Sequence, residues 1–219
     1  MLDYLIYSAV FLIVMLLTSL IRKSIRGFLL ADLLRTLLFF IPFLLPGIYY
    51  GLPDFTVNLG DNYIAYIIAI TGSVIGLSIH FKEIKPYFNK DLYYLFPPLP
   101  LKWFLITEFS LVGSAIFEEI FYRAFIPKSS ILIEIIISVS LFTIAHFIQE
   151  PTRVEFTKKD YITLVIISIF WYLSFNISGS ILPAIIGHLI YNSPKVITTI
   201  IHFNVSLKNS SDESIEQNI

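Results

Sequence analysis

Hydrophobic residues in this chain are gathered into long runs, which are separated by short segments rich in proline, glycine or charge. A helix needs about 20 apolar residues, at about 1.5 Å each, to cross the roughly 30 Å hydrocarbon core of a bilayer. Seven runs approach this length. We therefore predict an all-α fold, a polytopic transmembrane bundle of about seven helices, over residues 4–21, 28–45, 63–81, 103–126, 131–148, 161–175 and 181–202.

The same pattern predicts a single domain. Residues 1–207 are expected to form one transmembrane helical domain, and the polar segment 208–219 is expected to be a disordered tail. We interpret the first run as a retained helix rather than a signal peptide. Residues 1–7 contain no basic side chain, and no small-residue cleavage pattern precedes Arg22.

Composition supports the membrane interpretation and narrows the chemistry. Hydrophobic residues make up 56% of the 219 residues and charged residues only 14%, whereas soluble domains have about a quarter charged. The net charge of −1 gives no polybasic face, so we expect the lipid bilayer as surroundings and no nucleic acid partner. Cysteine is absent, which excludes disulfides and thiol catalysis and leaves oxygen and imidazole groups.

Basic residues fall in the loops after the first, third and fifth runs, and only Lys128 lies in the opposite set. By the positive-inside rule, these three loops are predicted to be cytoplasmic, with the N-terminus outside and the C-terminus inside. We expect a multi-pass protein of a bacterial cytoplasmic membrane. The basic residues concerned are Arg22, Lys23, Arg26, Lys82, Lys85, Lys90, Arg153, Lys158 and Lys159.

Most ionisable residues within the runs have simple explanations. Asp32 and Arg35 are three apart and can pair on one helical face. Glu108 lies near the start of its run, where an interfacial position is expected. Four others lie near the ends of runs, where side chains snorkel to the interface. These four are His80, Glu134, Lys195 and His202.

The fourth run contains three charges that this explanation does not cover. Glu118, Glu119 and Arg123 lie well inside an apolar helix, where an unpaired charge is costly. Glu119 and Arg123 are four apart and can form a charge-assisted pair. Glu118 is turned about 100° away from that pair, so it has no local partner and is a candidate proton acceptor.

Two later runs add imidazole and amide groups. His146 lies near the end of the fifth run, while His188 and Asn192 are four apart on one face of the last. A single histidine in an apolar helix is as often a hydrogen-bonded core residue as a functional one. The combination of six polar groups from three runs favours a site.

These groups have the chemistry for hydrolysis. Glu118 can deprotonate a water that His146 helps to hold, and His188 and Asn192 can donate hydrogen bonds to an oxyanion. Glu119 and Arg123 would orient the site. We expect no required cofactor, but zinc bound by Glu118, His146 and His188 is an open alternative, because glutamate and histidine are common zinc-hydrolase ligands.

The motifs resemble those of the CAAX protease and bacteriocin-processing (CPBP or Abi) family of intramembrane proteases, which includes prenyl-protein endopeptidases. The family motifs Glu-Glu-x-x-x-Arg, Phe-x-x-x-His and His-x-x-x-Asn match, in order, Glu118, Glu119 and Arg123, then Phe142 and His146, then His188 and Asn192. The resemblance covers roughly residues 110–197, within a predicted protease core at about 103–203. The first three runs are matched only as generic membrane helices.

The resemblance implies an all-helical membrane fold with a sunken site. It also implies that Glu118 activates water without metal, that His146 assists, and that His188 and Asn192 form the oxyanion side. A glycine commonly follows the arginine in the family, and here Ala124 does, which predicts a straighter helix. Glu118 and His146 are also predicted at different depths, roughly 12 Å and 22 Å from the outer ends of their helices, so tilt, a kink near Pro127 or shifted helix ends must bring them together.

The leading hypothesis is an intramembrane peptidase that acts on a peptide or membrane-protein substrate, in peptide or bacteriocin maturation or in self-immunity. The alternative is a non-catalytic membrane immunity or regulatory protein that binds a peptide or sensor partner. A transporter or proton relay is less favoured, because the chain has no paired discontinuous helices and no repeat symmetry.

Overall fold

The computed structural model describes residues 2–26, 30–56 and 59–216, and every regular element in these ranges is helical. The predicted helical bundle is confirmed. The α-helices of the described ranges are α1 (Leu2–Ser24), α2 (Ala31–Phe39), α3 (Gly47–Tyr50), α4 (Leu59–Ile84), α5 (Leu101–Glu119), α6 (Ile131–Ile148), α7 (Glu150–Glu155), α8 (Lys158–Ser178) and α9 (Leu182–Glu216). Short 3-10 helices span Ile41–Leu44, Lys85–Phe88 and Lys90–Leu95, and a π-helical turn spans Ile120–Ala124.

Within the described ranges, four helical segments are long and apolar enough to cross a membrane: Leu2–Ser24, Tyr63–Phe88, Ile131–Ile148 and Lys158–Ser178. Their outer surfaces carry many exposed leucine and isoleucine side chains, which are stable in contact with lipid. These four segments support the prediction of a membrane protein. The count of seven crossings, and the orientation of the bundle, stay predictions.

The second predicted helix, 28–45, is not continuous. Residues 28 and 29 lie outside the described ranges, and the rest divides into α2 and a 3-10 helix that contains Pro42. Proline has no N–H to donate and its ring clashes with the preceding turn, so a helix breaks there. Pro46 then precedes the short helix α3.

The helix α8 shows how local sequence sets the ends of an element. Thr157 and Asp160 form a capping box, in which the Asp160 carboxylate accepts hydrogen bonds from the Thr157 N–H at 2.7 Å and the Thr157 hydroxyl at 2.6 Å. The helix stops at Gly179, whose φ of 69° is left-handed and is tolerated by glycine. Both ends therefore follow from residue type.

The bundle packs α4 against α8 and α9, α5 against α9, and α6 against α8. A β-carbon at Gly72 in α4 would lie 2.4 Å from the β-carbon of Phe170 in α8, so only glycine allows these helices to approach so closely. Buried aromatic side chains of α1, the 3-10 helix Ile41–Leu44, the π-helical turn, α6 and α8 fill the centre of the bundle. This packing holds α5, α6 and α9, which contain the predicted site residues, around one interior.

The last helix extends further than predicted. It runs to Glu216, well beyond residue 202, and includes 208–216, where the sequence favours disorder; 217–219 lie outside the described ranges. Pro194 lies inside this helix. The boundary at 207 stays a prediction.

The Asp32 and Arg35 pair is confirmed, since Arg35 Nη2 donates to Asp32 Oδ1 at 2.6 Å. The snorkelling prediction is wrong for Glu134 and His80, which are 3% and 7% exposed. Glu134 accepts hydrogen bonds from the Ser129 N–H at 2.5 Å and from the Tyr172 hydroxyl. Both residues are near helix ends, but α8 supplies each with a buried hydrogen-bond partner, Tyr172 for Glu134 and Thr163 for His80.

Candidate active site

The first motif lies where α5 changes into the π-helical turn. Glu119 and Arg123 are fully buried, and Arg123 Nε donates to Glu119 Oε2 at 3.0 Å. A buried carboxylate and guanidinium offset each other's charge, and breaking such a pair is strongly unfavourable. The straight helix expected from Ala124 is absent, because the backbone is π-helical from Ile120 to Ala124. Such turns are frequent at functional sites.

Arg123 also joins this motif to α6. Its Nη1 donates to Ser138 Oγ at 2.6 Å, and the Ser138 hydroxyl donates to the Tyr122 carbonyl at 2.7 Å. The guanidinium lies 4.9 Å from the centre of the Phe142 ring, within cation–π range. Ser138 is a contributor that sequence reasoning missed, and a serine in an apolar run gives no signal of such a contact.

His188 in α9 reaches the same carboxylate from the opposite side. Its Nδ1 lies 2.9 Å from Glu119 Oε1, so Glu119 joins α5 and α9. The Trp171 indole stacks on the imidazole with centroids 4.5 Å apart and an interplanar angle of 18°. Trp171 was not predicted either, because α8 carries none of the three motifs. The orientation of His188 is therefore fixed by this hydrogen bond and by contacts with the Trp171 and Phe142 rings.

His146 in α6 has a defined tautomer. Its Nδ1 lies 2.8 Å from the Phe142 carbonyl, and a carbonyl only accepts, so Nδ1 carries a proton. In the neutral ring, Nε2 is then a hydrogen-bond acceptor. The ring stacks on Phe156, with centroids 5.9 Å apart and planes 17° apart. His146 thus presents a lone pair on a fixed ring.

Asn192, one turn after His188, is turned towards α5. Its Nδ2 donates to the Leu111 carbonyl at 2.9 Å and, at 3.4 Å, to Ser114 Oγ. The first hydrogen bond is well formed, and the second is at the long limit. The amide that the sequence assigns to the oxyanion side is therefore engaged with α5 in this structure.

One cavity of about 700 Å³ brings the three motifs together. Its wall includes Glu118, His146, His188 and Asn192, and most of its remaining surface is apolar. Glu119 and Arg123 lie behind this wall. The cavity is within the size range of ligand sites, about 300 to 1,000 Å³. Glu118 and His146 therefore line the same cavity despite the predicted difference in their depth.

Glu118 differs from its neighbour in having no partner. It is 8% exposed, and among the described residues its carboxylate has no hydrogen bond or ion pair. Carboxylates that are buried in proteins are normally paired. Glu118 therefore faces the cavity as an acceptor whose hydrogen bonds remain available.

The arrangement of the donor groups bears on the zinc alternative. Within the described ranges, no three histidine, aspartate or glutamate side chains form a group that could hold a metal ion. His188 Nδ1 is already bonded to Glu119, so only its Nε2 could contribute. As positioned here, Glu118, His146 and His188 do not form such a group, and the zinc alternative stays a prediction.

The all-helical bundle thus places Glu118 and two oriented imidazoles, His146 and His188, on one cavity. A family model described as "type II CAAX prenyl endopeptidase Rce1-like" matches residues 100–194, somewhat less than half of the chain. This segment contains all six predicted site residues, and the match supports the predicted resemblance to the CAAX protease family. No curated protein and no solved structure matches the chain.

The description of the matching family model names a general activity. Its members are described as endopeptidases, which are hydrolases, and a peptidase acts on a protein or peptide substrate. The matched segment begins just before α5 and ends inside α9. The roles of individual residues go beyond this assignment.

Proposed function

We propose that this protein is an intramembrane endopeptidase that hydrolyses a peptide bond with a water molecule activated by Glu118. One observation carries the proposal: Glu118, His146 and His188 line one cavity, and the Glu118 carboxylate has no partner among the described residues. The apolar wall would accept hydrophobic side chains of a substrate and keep bulk water away from the reacting bond.

The free acceptors at the cavity suggest how the water is held. A water molecule would donate one hydrogen to the Glu118 carboxylate and the other to His146 Nε2, which is an acceptor because Nδ1 donates to Phe142. The oxygen lone pair then points to the substrate carbonyl carbon. As the C–O bond forms, Glu118 takes the proton, and it gives this proton to the leaving nitrogen as the C–N bond breaks.

The oxyanion side is assigned to His188, with Asn192 beside it. Because His188 Nδ1 is bonded to Glu119, Nε2 can donate to the oxyanion only when both ring nitrogens carry a proton. Asn192 could add a second hydrogen bond by exchanging its long contact with Ser114 for the oxyanion. Glu119 and Arg123 act as positioning residues.

The substrate is proposed to be a hydrophobic peptide or membrane protein in a bacterial cytoplasmic membrane. Leader-bearing peptides such as bacteriocins or pheromones fit this class, and their processing would serve peptide maturation or self-immunity. The bilayer brings such substrates to a cavity that lies among membrane-spanning helices.

The test is Glu118→Gln, which keeps the shape of the side chain and removes the base. Peptides released by a deletion strain of the native host are compared by mass spectrometry after complementation with wild type, Glu118→Gln or Glu108→Gln. Glu108 is on the same helix but outside the cavity wall, so it is a matched control. We expect Glu118→Gln to lower processing by about 10²- to 10⁴-fold and the control to retain it.

Processing at the wild-type level by Glu118→Gln would overturn the catalytic proposal. The alternative, a non-catalytic immunity or regulatory protein that binds a peptide or sensor partner, would then be favoured. Immunoblots of the membrane fraction establish that all variants are present in equal amounts.

A further inference from the structure

A second, smaller cavity has two arginines in its wall and adjoins the large cavity. It has a volume of about 210 Å³ and shares Ser110, Ser114, Glu118 and Gln149 with the wall of the large cavity. Its opposite wall comes from the N-terminal part of the chain, outside the segment matched by the family model. The residues of that wall are Arg22, Arg35, Thr36, Phe39 and Phe40.

The arginine end of this cavity lies at the depth of lipid headgroups. Arg22 is in the last turn of α1, which is long and apolar enough to cross a membrane, so its end reaches the interface between hydrocarbon and water. The side chains of Arg22 and Arg35 are only partly buried, so the cavity reaches the protein surface here. Leu16 and Leu20 precede Arg22 on α1 and are exposed, as expected of side chains that contact acyl chains.

Arg35 is fixed in position but only partly neutralised. Its Nη2 donates to Asp32 Oδ1 at 2.6 Å, and its Nη1 donates to the Ile25 carbonyl at 3.2 Å. The other oxygen of Asp32 accepts a hydrogen bond from Lys102. One carboxylate therefore balances two cations, and positive charge is left in excess at this end of the cavity.

Arg22 adds a further cation to this excess. Its guanidinium carbon lies 5.0 Å from the centre of the Phe39 ring, and the side chain forms no ion pair with any described residue. Glu150 is near enough to act on the charge of Arg22, but its exposed side chain does not pair with it. A partly desolvated guanidinium attracts an anion, and its planar fork can bind two phosphate oxygens at once.

We propose that Arg22 and Arg35 bind the phosphate of an anionic phospholipid headgroup. This inference goes beyond the proposed function and does not depend on it. Basic pockets between transmembrane helices recur as sites for anionic headgroups. The volume is below the usual range of about 300 to 1,000 Å³ for ligand sites, which suits a headgroup whose acyl chains stay in the bilayer. A phosphate held by both arginines joins α1 to α2.

Native mass spectrometry of the detergent-solubilised protein measures this binding directly. Phosphatidylglycerol and phosphatidylcholine with the same acyl chains are titrated separately. In phosphatidylcholine the choline offsets the phosphate charge, so the comparison isolates the anionic headgroup. Wild type should bind one phosphatidylglycerol about tenfold more tightly than phosphatidylcholine, as a charge-assisted hydrogen bond would give.

Arg22→Gln should make the two lipids bind equally. Lys23→Gln is the matched control, since it removes the same charge one residue away, from an exposed side chain outside both cavities. A general attraction of the basic surface for anionic lipid would be weakened equally by both variants, whereas a site at Arg22 is lost only in the first. Arg22→Lys, which keeps the charge but loses the planar fork, should retain an intermediate preference.

Thermal unfolding separates a lipid headgroup from soluble phosphate, which has the same chemistry. Phosphatidylglycerol should raise the Tm of wild type and of Lys23→Gln, because binding to the folded state stabilises it, and should leave Arg22→Gln unchanged relative to phosphatidylcholine. Inorganic phosphate in large excess should leave all three unchanged, because it has no acyl chains to hold it at the interface. An equal rise with inorganic phosphate would overturn the lipid assignment.

Two further outcomes would overturn the inference. One is equal binding of the two lipids by wild type, which requires no variant to fold. The other is equal weakening of phosphatidylglycerol binding by Arg22→Gln and Lys23→Gln, which would indicate surface attraction alone. If Arg22→Gln does not fold, an undiminished preference in Arg22→Lys would show that the planar fork is not used.

Discussion

At the scale of single residues, Glu119 is the centre of the buried polar network. One of its oxygens accepts from Arg123 and the other lies 2.9 Å from His188 Nδ1, so a single carboxylate connects the first and third motifs. Glu118, its neighbour in sequence, has no such partner in the described part of the chain. Two adjacent glutamates therefore have different environments, one structural and one facing the cavity.

Replacing Arg123 tests the strength of this network. Arg123→Met removes the guanidinium at similar volume and leaves the Glu119 charge buried, which should destabilise the protein by about 3 to 5 kcal/mol. Denaturant unfolding of the detergent-solubilised protein measures the change. Lys102→Met is the control, because its ion pair with Asp32 is partly exposed and should contribute at most about 1 kcal/mol. Equal losses for both variants would contradict the prediction.

Exhaustive chelation tests the mechanism at the same residues. If Glu118 and His146 hold the water without a metal, cleavage by the purified protein should persist after dialysis against a chelator. Cleavage of a processed host peptide, followed by mass spectrometry, is the measurement. Activity that disappears on chelation and returns with zinc would support the alternative ligand set of Glu118, His146 and His188.

The pairing of Glu119 with Arg123 could be predicted because residues four apart share a helical face. The contacts of Arg123 with Ser138 and of His188 with Trp171 could not be predicted, since they join different helices and depend on how those helices pack. Local spacing contains no information on such contacts. The hydrogen bond from Asn192 to the Leu111 carbonyl could not be predicted for the same reason.

At the scale of elements, a close contact between α8 and α9 depends on Gly187. A β-carbon there would lie 2.7 Å from Trp171 Nε1 and 3.0 Å from the Ala69 β-carbon. The indole is otherwise held by a hydrogen bond to Ser73 Oγ at 3.1 Å and by its stack on His188. Any side chain at 187 must therefore displace the ring that orients His188.

Gly187→Ala should lower the free energy of unfolding by about 1 to 3 kcal/mol, because the added methyl group overpacks the contact. It should also lower the rate of peptide cleavage by about tenfold or more, because the displaced indole no longer orients His188. Gly179→Ala is the control. Its left-handed φ makes alanine cost about 1 to 2 kcal/mol, but no atom outside its immediate chain neighbours lies within 4 Å of the new β-carbon. Unfolding and cleavage assays should show a stability loss in both variants and an activity loss only in Gly187→Ala. Normal cleavage by Gly187→Ala would show that the indole does not orient His188.

The boundaries of elements were predicted well where hydrophobic runs have clear ends. The helix α6 begins and ends at the predicted residues, 131 and 148. The prediction of one continuous helix over 28–45 was wrong. It rested on the length and hydrophobicity of the run, although Pro42 lies within the run and breaks the helix. The sequence does not indicate the π-helical turn, because residues Ile120–Ala124 are all compatible with an ordinary α-helix.

At the scale of the whole molecule, the predicted orientation can be tested because the chain has no cysteine of its own. Lys23→Cys should react with a membrane-impermeant maleimide only after the membrane is opened, and Ser130→Cys should react in intact cells. Both side chains are exposed, so each is accessible from its own side. The opposite pattern would reverse the orientation, and labelling of both in intact cells would contradict a membrane crossing between them.

The sequence predicted that the three motifs converge on one site, but the sequence alone could not show that they do. Three motifs on three helices gave the residues, while helix ends and tilt decide whether they meet. The cavity that contains Glu118, His146 and His188 results from packing of α5, α6 and α9, which no single run encodes.

The π-helical turn makes this protein sensitive to insertions and deletions as well as to substitutions. Such a turn holds one residue more than an α-helical turn, so side chains after it are rotated by roughly 100° from the register of an uninterrupted helix. Removing one residue between Ile120 and Ala124 would shift Phe125 and Ile126, both buried, onto a different face. Homologues that align here without gaps should therefore place the side chains after the turn on the same helical faces, even where the residues differ.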